Sequence, residues 1–584
     1  MSKRFITPRL LVSASEIFQT CPSTKEERLN LLKSIPKSEI IYALSSFNMR
    51  MLRANSTYNN YFSKAAQMRE ICHFCSYDNE FCQNVFNQTS IVDSTNDNFP
   101  IFFCRLSTLL AIREVLEEID NEDENHNFKF TSDDWLQIFL YLLSMNDRVK
   151  EYTNQNINLE SSKRYSFFEK IATCNQLINE LNMRTHPIAP MSRLVNYVNY
   201  LNKIDKYQKF IDGRFTPFGF NAGYFLKQII NLHRKKDSGN GYSCIIDVKE
   251  TIDKKLVQIL DLLSDTSFLS DKIHFFDFKK LTFAPLCKIG KEFYFVMDRD
   301  LLIDKVYDHF INDFYTIYLE DNDYIEDGEN KEFKIKKYRT DLGLYFEEYI
   351  SELFYDLAID DSVLLTLDEM KIPLGSSGEV EVTDIYYRSG NKILTGEVKA
   401  KGIGVEQRDG STFNFLYNPR HDLSKPKDDN YYRFLYKKFG LDQIVKSMDY
   451  LKNHNELFDG GIQEFIDKEI CIDIYPTIIV NEKFFNTPFM NKIFKDEFDK
   501  RLKRSDYPEF NIHQLSILYV EDIEIISSNV VYGKDVHVFN LLRYYTNKSQ
   551  ANSFRTFLDY QGIDFPIEYY NQKFNFIDEI ELDD

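Results

Sequence analysis

Along residues 1–240, apolar side chains recur at helical spacing. Glu26–Ile35, Asp134–Leu143 and Arg193–Ile211 each place apolar residues at helical intervals, with polar Asn- and Asp-rich stretches between them. This half is expected to be mostly helical, and no repeat of fixed period runs through it. The acidic run Glu117–Glu124 reads as a solvated helix end or loop. The cluster Asp237-Ser238-Gly239-Asn240-Gly241 is the strongest loop signal of the half and marks a boundary. Beyond it, residues 241–337 read as a small α/β region. A helix is expected at Val248–Leu263, β-rich runs at Ile273–Phe283 and Glu292–Met297 with a turn at Ile289-Gly290-Lys291, and a helix at Leu301–Tyr318. Glu320–Lys337, charged and poor in apolar residues, reads as a linker or mobile loop.

From residue 338 to 584 the pattern tightens. A helix at Asp341–Leu357 is followed by strands near Lys371, at Val380–Tyr387 and at Lys392–Ala400. A long loop at Gly402–Asn430 leads to a helix at Leu441–Leu451, an apolar strand at Ile470–Val480 and a helix at Asn491–Lys503. One or two strands beyond Asn511 and a helix at Phe539–Tyr560 complete the chain. Helix, three strands, helix, strand predicts a mixed central sheet flanked by helices, not a repeated βα unit. At 584 residues the chain is too long for one hydrophobic core, so the fold class expected is multidomain, a helical half followed by an α/β domain.

The formal charge of −19 argues against coating nucleic acid by bulk electrostatics; phosphate contacts would need a local patch, a metal or a partner subunit. No apolar run approaches the ~20 residues of a membrane span. The start, MSKRFITPRLLVSASE, has no long apolar core, and nine scattered cysteines give no secreted disulfide framework. A soluble, cytoplasmic protein without a membrane partner is expected.

The chemistry lies in Gly378–Tyr387, a short Arg388–Asn391 turn, and Lys392-Ile393-Leu394-Thr395-Gly396-Glu397-Val398-Lys399. Strand alternation puts Ile393, Thr395, Glu397 and Lys399 on one face and the small or apolar Leu394, Gly396, Val398 and Ala400 on the other. Glu397 and Lys399 then emerge about 6–7 Å apart. Across the turn, Asp384 falls opposite the Glu397 end of the next strand. Two carboxylates and an ammonium converge, and hard oxygen ligands of this kind suit Mg²⁺ (or Mn²⁺) together with a substrate phosphate. A lysine beside the ion can orient, or help deprotonate, an attacking water. The competing reading is a surface hairpin with a Glu–Lys ion pair, which explains neither the apolar reverse face nor the Asp384 spacing.

Asp384 followed by Glu397-Val398-Lys399 on the next strand of a hairpin resembles the PD-(D/E)XK nuclease superfamily, over roughly Asp341–Lys503. Thr383 stands where the superfamily often has proline. The resemblance implies a restriction-endonuclease-like fold for 338–584, with Mg²⁺ held by Asp384, Glu397 and the Val398 carbonyl, and Lys399 positioning the water. It also implies an acidic residue from the preceding helix near the metal. On the wheel Leu342, Phe346, Ile350, Leu353 and Leu357 form the buried stripe, Glu347 sits at its margin and Glu348 on the solvated side, so Glu347 is the match. Some relatives carry a Gln-x-x-x-Tyr element in the next helix; Gln443 matches it only in part, because Ser447 follows four residues later.

The implied activity is Mg²⁺-dependent hydrolysis of DNA phosphodiester bonds by an endonuclease. By analogy it would be an anti-phage defence or restriction effector, with residues 1–240 as a regulatory, sensing or partner-binding domain or a surface for self-association. An RNA substrate and a non-catalytic, nuclease-like scaffold are the alternatives. The stretch Val398–Lys438 is locally basic, nine Lys and Arg against five acids with Tyr417, Tyr431, Tyr432 and Tyr436 interleaved. Lys401, Arg408, Arg420, Lys425 and Lys427 are its candidate phosphate contacts.

Cys72-His73-x-Cys75, Cys82 and Cys104 resemble fragments of a zinc site, but no second pair follows at finger spacing. Asp247-Val248-Lys249 copies part of the nuclease spelling without a partner hairpin. No phosphate-binding Gly-rich loop, His-Glu-x-x-His or Gly-x-Ser-x-Gly occurs, so any ATP-driven step would belong to another subunit.

Overall fold

The computed structural model describes residues 11–52, 61, 63–95, 99–120, 128–156, 188–204, 222–234, 244–249, 253–265, 278–307, 331–358, 361–373, 378–400, 437–487, 490–548, 552–569 and 571–572. In the first half, apolar stripes at helical spacing build the helices Lys37–Met51, Arg105–Glu118, Ser132–Asn156 and Ile188–Asn202, among shorter ones. Phe47, Phe74, Phe103 and Phe139 pack as one aromatic group where these helices meet.

A three-stranded antiparallel sheet follows, formed by β1 (Ile245–Asp247), β2 (Leu286–Ile289) and β3 (Phe293–Val296) in the order β1-β3-β2. Gly290, at φ 60°, turns β2 into β3, where the hairpin turn is expected. Other expectations in this region need correction. Asp247 belongs to a strand paired with Phe293, not to the start of a helix, and the helix is Lys254–Leu262. Lys279–Phe283 is a helical turn, so β3's hairpin partner begins at Leu286. Helix Arg299–Asp304 replaces the first part of the longer helix expected there. Residues 331–337 are no linker: the helix expected at Asp341 begins at Lys331 and runs to Leu357.

This long helix leads into β4 (Ser362–Thr366), a strand the sequence pattern did not reveal. The segment at Lys371 instead forms β5 (Lys371–Pro373), paired in a separate ribbon with β6 (Glu379–Glu381). The run Val380–Tyr387 is thus divided, and its second part is β7 (Ile385–Ser389). β8 (Lys392–Lys399), helix Leu441–Asn453, β9 (Ile472–Val480), helix Met490–Arg501, β10 (Phe510–Ile512) and β11 (Ser516–Tyr519) follow. Helices Val520–Val531, Val538–Lys548 and Phe554–Tyr560 close the described chain, where a single helix is expected.

The six-stranded sheet has the order β10-β9-β8-β7-β4, with β11 also on β9. β4, β7 and β8 form an antiparallel meander; β8 and β9 run parallel, as do β10 and β11 with β9. Alternation divides its residues between two cores. Ile385, Tyr387, Leu394, Val398 and Ile479 pack with Phe346, Ile350 and Phe354 of the long helix and Ile523 of Val520–Val531. Tyr386, Ile393, Ile474 and Ile478 pack with Ile444 and Met448 of Leu441–Asn453 and with Ile493. Gly396 permits the close pairing on the first face, because a Cβ there would stand 2.7 Å from the Ile385 Cγ2.

Candidate active site

The β7–β8 register places Ile385 opposite Gly396, which sets Asp384 beside Glu397 at the mouth of the hairpin. Thr383 fixes the approach, its Oγ1 donating to the Gly396 carbonyl at 2.7 Å. Asp384 and Glu397 are 5% and 1% exposed. The Lys399 ammonium donates to Asp384 Oδ2 at 2.8 Å and to Glu397 Oε2 at 2.6 Å. The Val398 N–H donates to Asp384 Oδ2 at 2.6 Å, which holds that carboxylate against the strand.

Electrostatics follow from this burial. Glu397 is pushed well above the usual carboxylate range, first by burial and then by the charge of Asp384, with Lys399 acting in the opposite sense. Lys399 is held above its ordinary value because the two acids outweigh the cost of burying it. Glu347 projects from the long helix toward the same group. Its carboxyl is pushed up to about 7 by burial and then by Asp384, offset by Lys399. Among the described residues no hydrogen bond or ion pair joins the Glu347 carboxyl to that ammonium. Glu348 lies on the other side and pairs with Lys203 at 2.9 Å.

Other neighbours were not legible in the sequence. Glu381 and Lys371, opposite each other in the β5–β6 ribbon, both act on the Glu347 carboxyl. Gly440 heads the helix Leu441–Asn453 at φ +76°. A Cβ there would stand 2.8 Å from the Lys399 Cε, 3.1 Å from Glu397 Oε2 and 3.2 Å from Gln443 Oε1. The structure thus brings Gln443 to the same corner. The one available signal was a glycine directly ahead of a helical apolar stripe. Lys401, Arg408, Arg420, Lys425 and Lys427 lie outside the described residues.

Among the described residues no three or more His, Cys, Asp or Glu side chains are grouped to hold a metal ion. What fits a divalent cation here is the donor chemistry of the pair. Two buried carboxylates face one ammonium, so full ionisation leaves uncompensated negative charge at a site nearly closed to water. Mg²⁺ commonly uses only one or two carboxylates, completing its shell with water and phosphate.

In the cysteine segment, Cys72 and Cys75 both act on Cys82. Cys104 caps Arg105–Glu118, its sulfur 3.0 Å from the Ser107 hydroxyl, and the His73 ring lies 4.6 Å from that of Trp135. Burial pushes the Cys82 thiol up to about 11, which keeps it protonated at neutral pH. No family model, curated protein or solved structure matches this chain in comparisons with known proteins.

Proposed function

We propose that this protein is a divalent-metal-dependent endonuclease of the PD-(D/E)XK kind that hydrolyses DNA phosphodiester bonds. The observation carrying this reading is the Lys399 ammonium bonded at 2.8 and 2.6 Å to two acids, Asp384 and Glu397, that are almost fully buried. The order of long helix, three antiparallel strands, helix and parallel strand supports it, because the resemblance implies the same succession.

Asp384 and Glu397 would hold Mg²⁺ (or Mn²⁺), with Glu347 and the Val398 carbonyl as further donors; the bound ion would neutralise the scissile phosphate and stabilise the leaving oxygen. Lys399, kept protonated by its two acids, orients a water as a hydrogen-bond donor in this arrangement. Thr383 and the Val398 N–H hold Asp384 in place.

The test combines binding with cleavage. Titration calorimetry with Mn²⁺ on the native chain and on Asp384→Ala should show a site in the first and none in the second. Labelled duplex DNA, single-stranded DNA and RNA, incubated with and without Mg²⁺, should show metal-dependent cutting of DNA that Glu397→Ala and Lys399→Ala each abolish. Retained cutting in both variants removes the reading. A second reading, a nuclease-like module kept for binding, is favoured by one observation: Lys399 already hydrogen-bonds both acids without a cation. It predicts no metal binding and no cutting.

A further inference from the structure

Arg193 belongs to the helix Ile188–Asn202, far upstream of the sheet, yet it is 1% exposed and faces Glu524, itself 2% exposed. The pair is bidentate, Nε to Oε1 at 2.8 Å and Nη2 to Oε2 at 3.0 Å. Two tyrosines of the long helix close on it: Tyr349 donates to Glu524 Oε1 at 2.7 Å, and Tyr345 donates to the Arg193 carbonyl at 2.9 Å. Tyr349 and Glu347 are two residues apart, roughly 200° around a helix, so the side of the helix away from Glu347 is the side held here. The third arm of Arg193, Nη1, donates to the Tyr519 hydroxyl at 3.2 Å. Tyr519 of β11 pairs with Val480 of β9, and Val480 pairs with Lys399 of β8. The guanidinium therefore bonds Tyr519, in the row of strand residues that ends at Lys399, and reaches the helix bearing Glu347 through Glu524, which accepts from Tyr349.

We propose that Arg193 is a positioning residue for the site: through Glu524, Tyr349 and Tyr519 it sets the separation between Glu347 and the Asp384–Glu397–Lys399 cluster. The proposal rests on the metal-site reading above. Outer partners that orient metal-binding side chains typically change affinity 10–100-fold when removed, and here the partner comes from the helical half. Movement or ligation in that half then has a direct mechanical route to the site.

The test uses the full chain. Tyr349→Phe removes one hydroxyl and keeps the ring; Arg193→Lys keeps the charge and loses the fork. The control is Tyr197→Phe, which removes a buried hydroxyl bonded at 2.6 Å to Tyr338 near the other end of the same long helix. Mn²⁺ affinity by calorimetry and the thermal unfolding midpoint are read for each. Tyr349→Phe and Arg193→Lys are expected to weaken Mn²⁺ binding about tenfold, whereas Tyr197→Phe, at a similar stability loss, leaves it unchanged. Should Arg193→Lys not fold, Tyr349→Phe decides alone. Native-like Mn²⁺ affinity in Tyr349→Phe, or an equal loss in Tyr197→Phe, overturns the proposal and leaves the metal site standing. No Mn²⁺ binding by the native chain overturns both.

Discussion

Gly440 carries two separable demands. Its φ of +76° is one that L side chains adopt only at a cost, and a Cβ would displace the Lys399 stem 2.8 Å away. Gly533, at φ +69° with nothing within 4 Å of a built Cβ, carries the first demand without the second. Gly440→Ala and Gly533→Ala should each lose about 1 kcal/mol in urea unfolding. Only Gly440→Ala should lose cleavage, by roughly a hundredfold, because Lys399 would be moved from its two acids. Equal activities would show that the lysine stem yields.

Glu347 gives a pH signature. Its folded value of about 7 stands above the ordinary 4.5, so its contribution to stability is fully present below 4.5 and is lost as pH rises through about 7. Metal-free Glu347→Gln should therefore unfold later than the native chain at pH 8, and the difference should vanish toward pH 4. A constant difference across that range would contradict the burial of this carboxyl. Asp384, Glu397 and Lys399 were legible because a strand's two-residue period needs only local sequence. Gly440, Glu381 and Lys371 were not, because their nearness to the site is set by long-range packing.

At the scale of elements, the same contrast explains β4 and the long helix. Ser362-Val363-Leu364-Leu365-Thr366 is a short run without alternation, and as a sheet edge it is only partly covered. Length and period therefore gave no strand signal. Lys331–Lys337 looked like a linker because of its charge, yet it is helical, with Lys334 buried and Lys336 and Lys337 exposed. Strands β8 and β9 are the opposite case, buried along most of their length. Ile479, fully buried and paired with Val398, is expected to cost about 2–5 kcal/mol as Ile479→Ala in urea unfolding. The Ile479 side chain lies on the sheet face away from Glu397 and Lys399, so Mn²⁺ affinity of the proposed site, measured below the unfolding transition, should persist.

At the scale of the whole molecule, one buried cluster gathers Leu194, Phe225, Ile246 and Tyr307 with Phe346, Leu394, Ile479 and Ile523. A second long-range tie joins Arg105 to Asp298, 2.8 and 2.7 Å apart at two points and 193 positions apart in the chain. Both side chains are nearly inaccessible, so Arg105→Met should leave a buried, uncompensated carboxylate and cost about 3–5 kcal/mol. Adding Asp298→Asn should recover part of that loss in the same unfolding assay. Neither tie has a local sequence signature: an arginine in an apolar helix looks like any boundary residue until its partner is known.

The crossover from β8 to β9 has a further consequence for biosynthesis. A hairpin such as β7–β8 is marginal by itself in water, and β9 arrives only with Ile472–Val480. Arg193 waits 331 positions for Glu524. A chain leaving the ribosome amino end first therefore cannot assemble its acids and lysine into one rigid corner until β9 and Glu524 have followed them out.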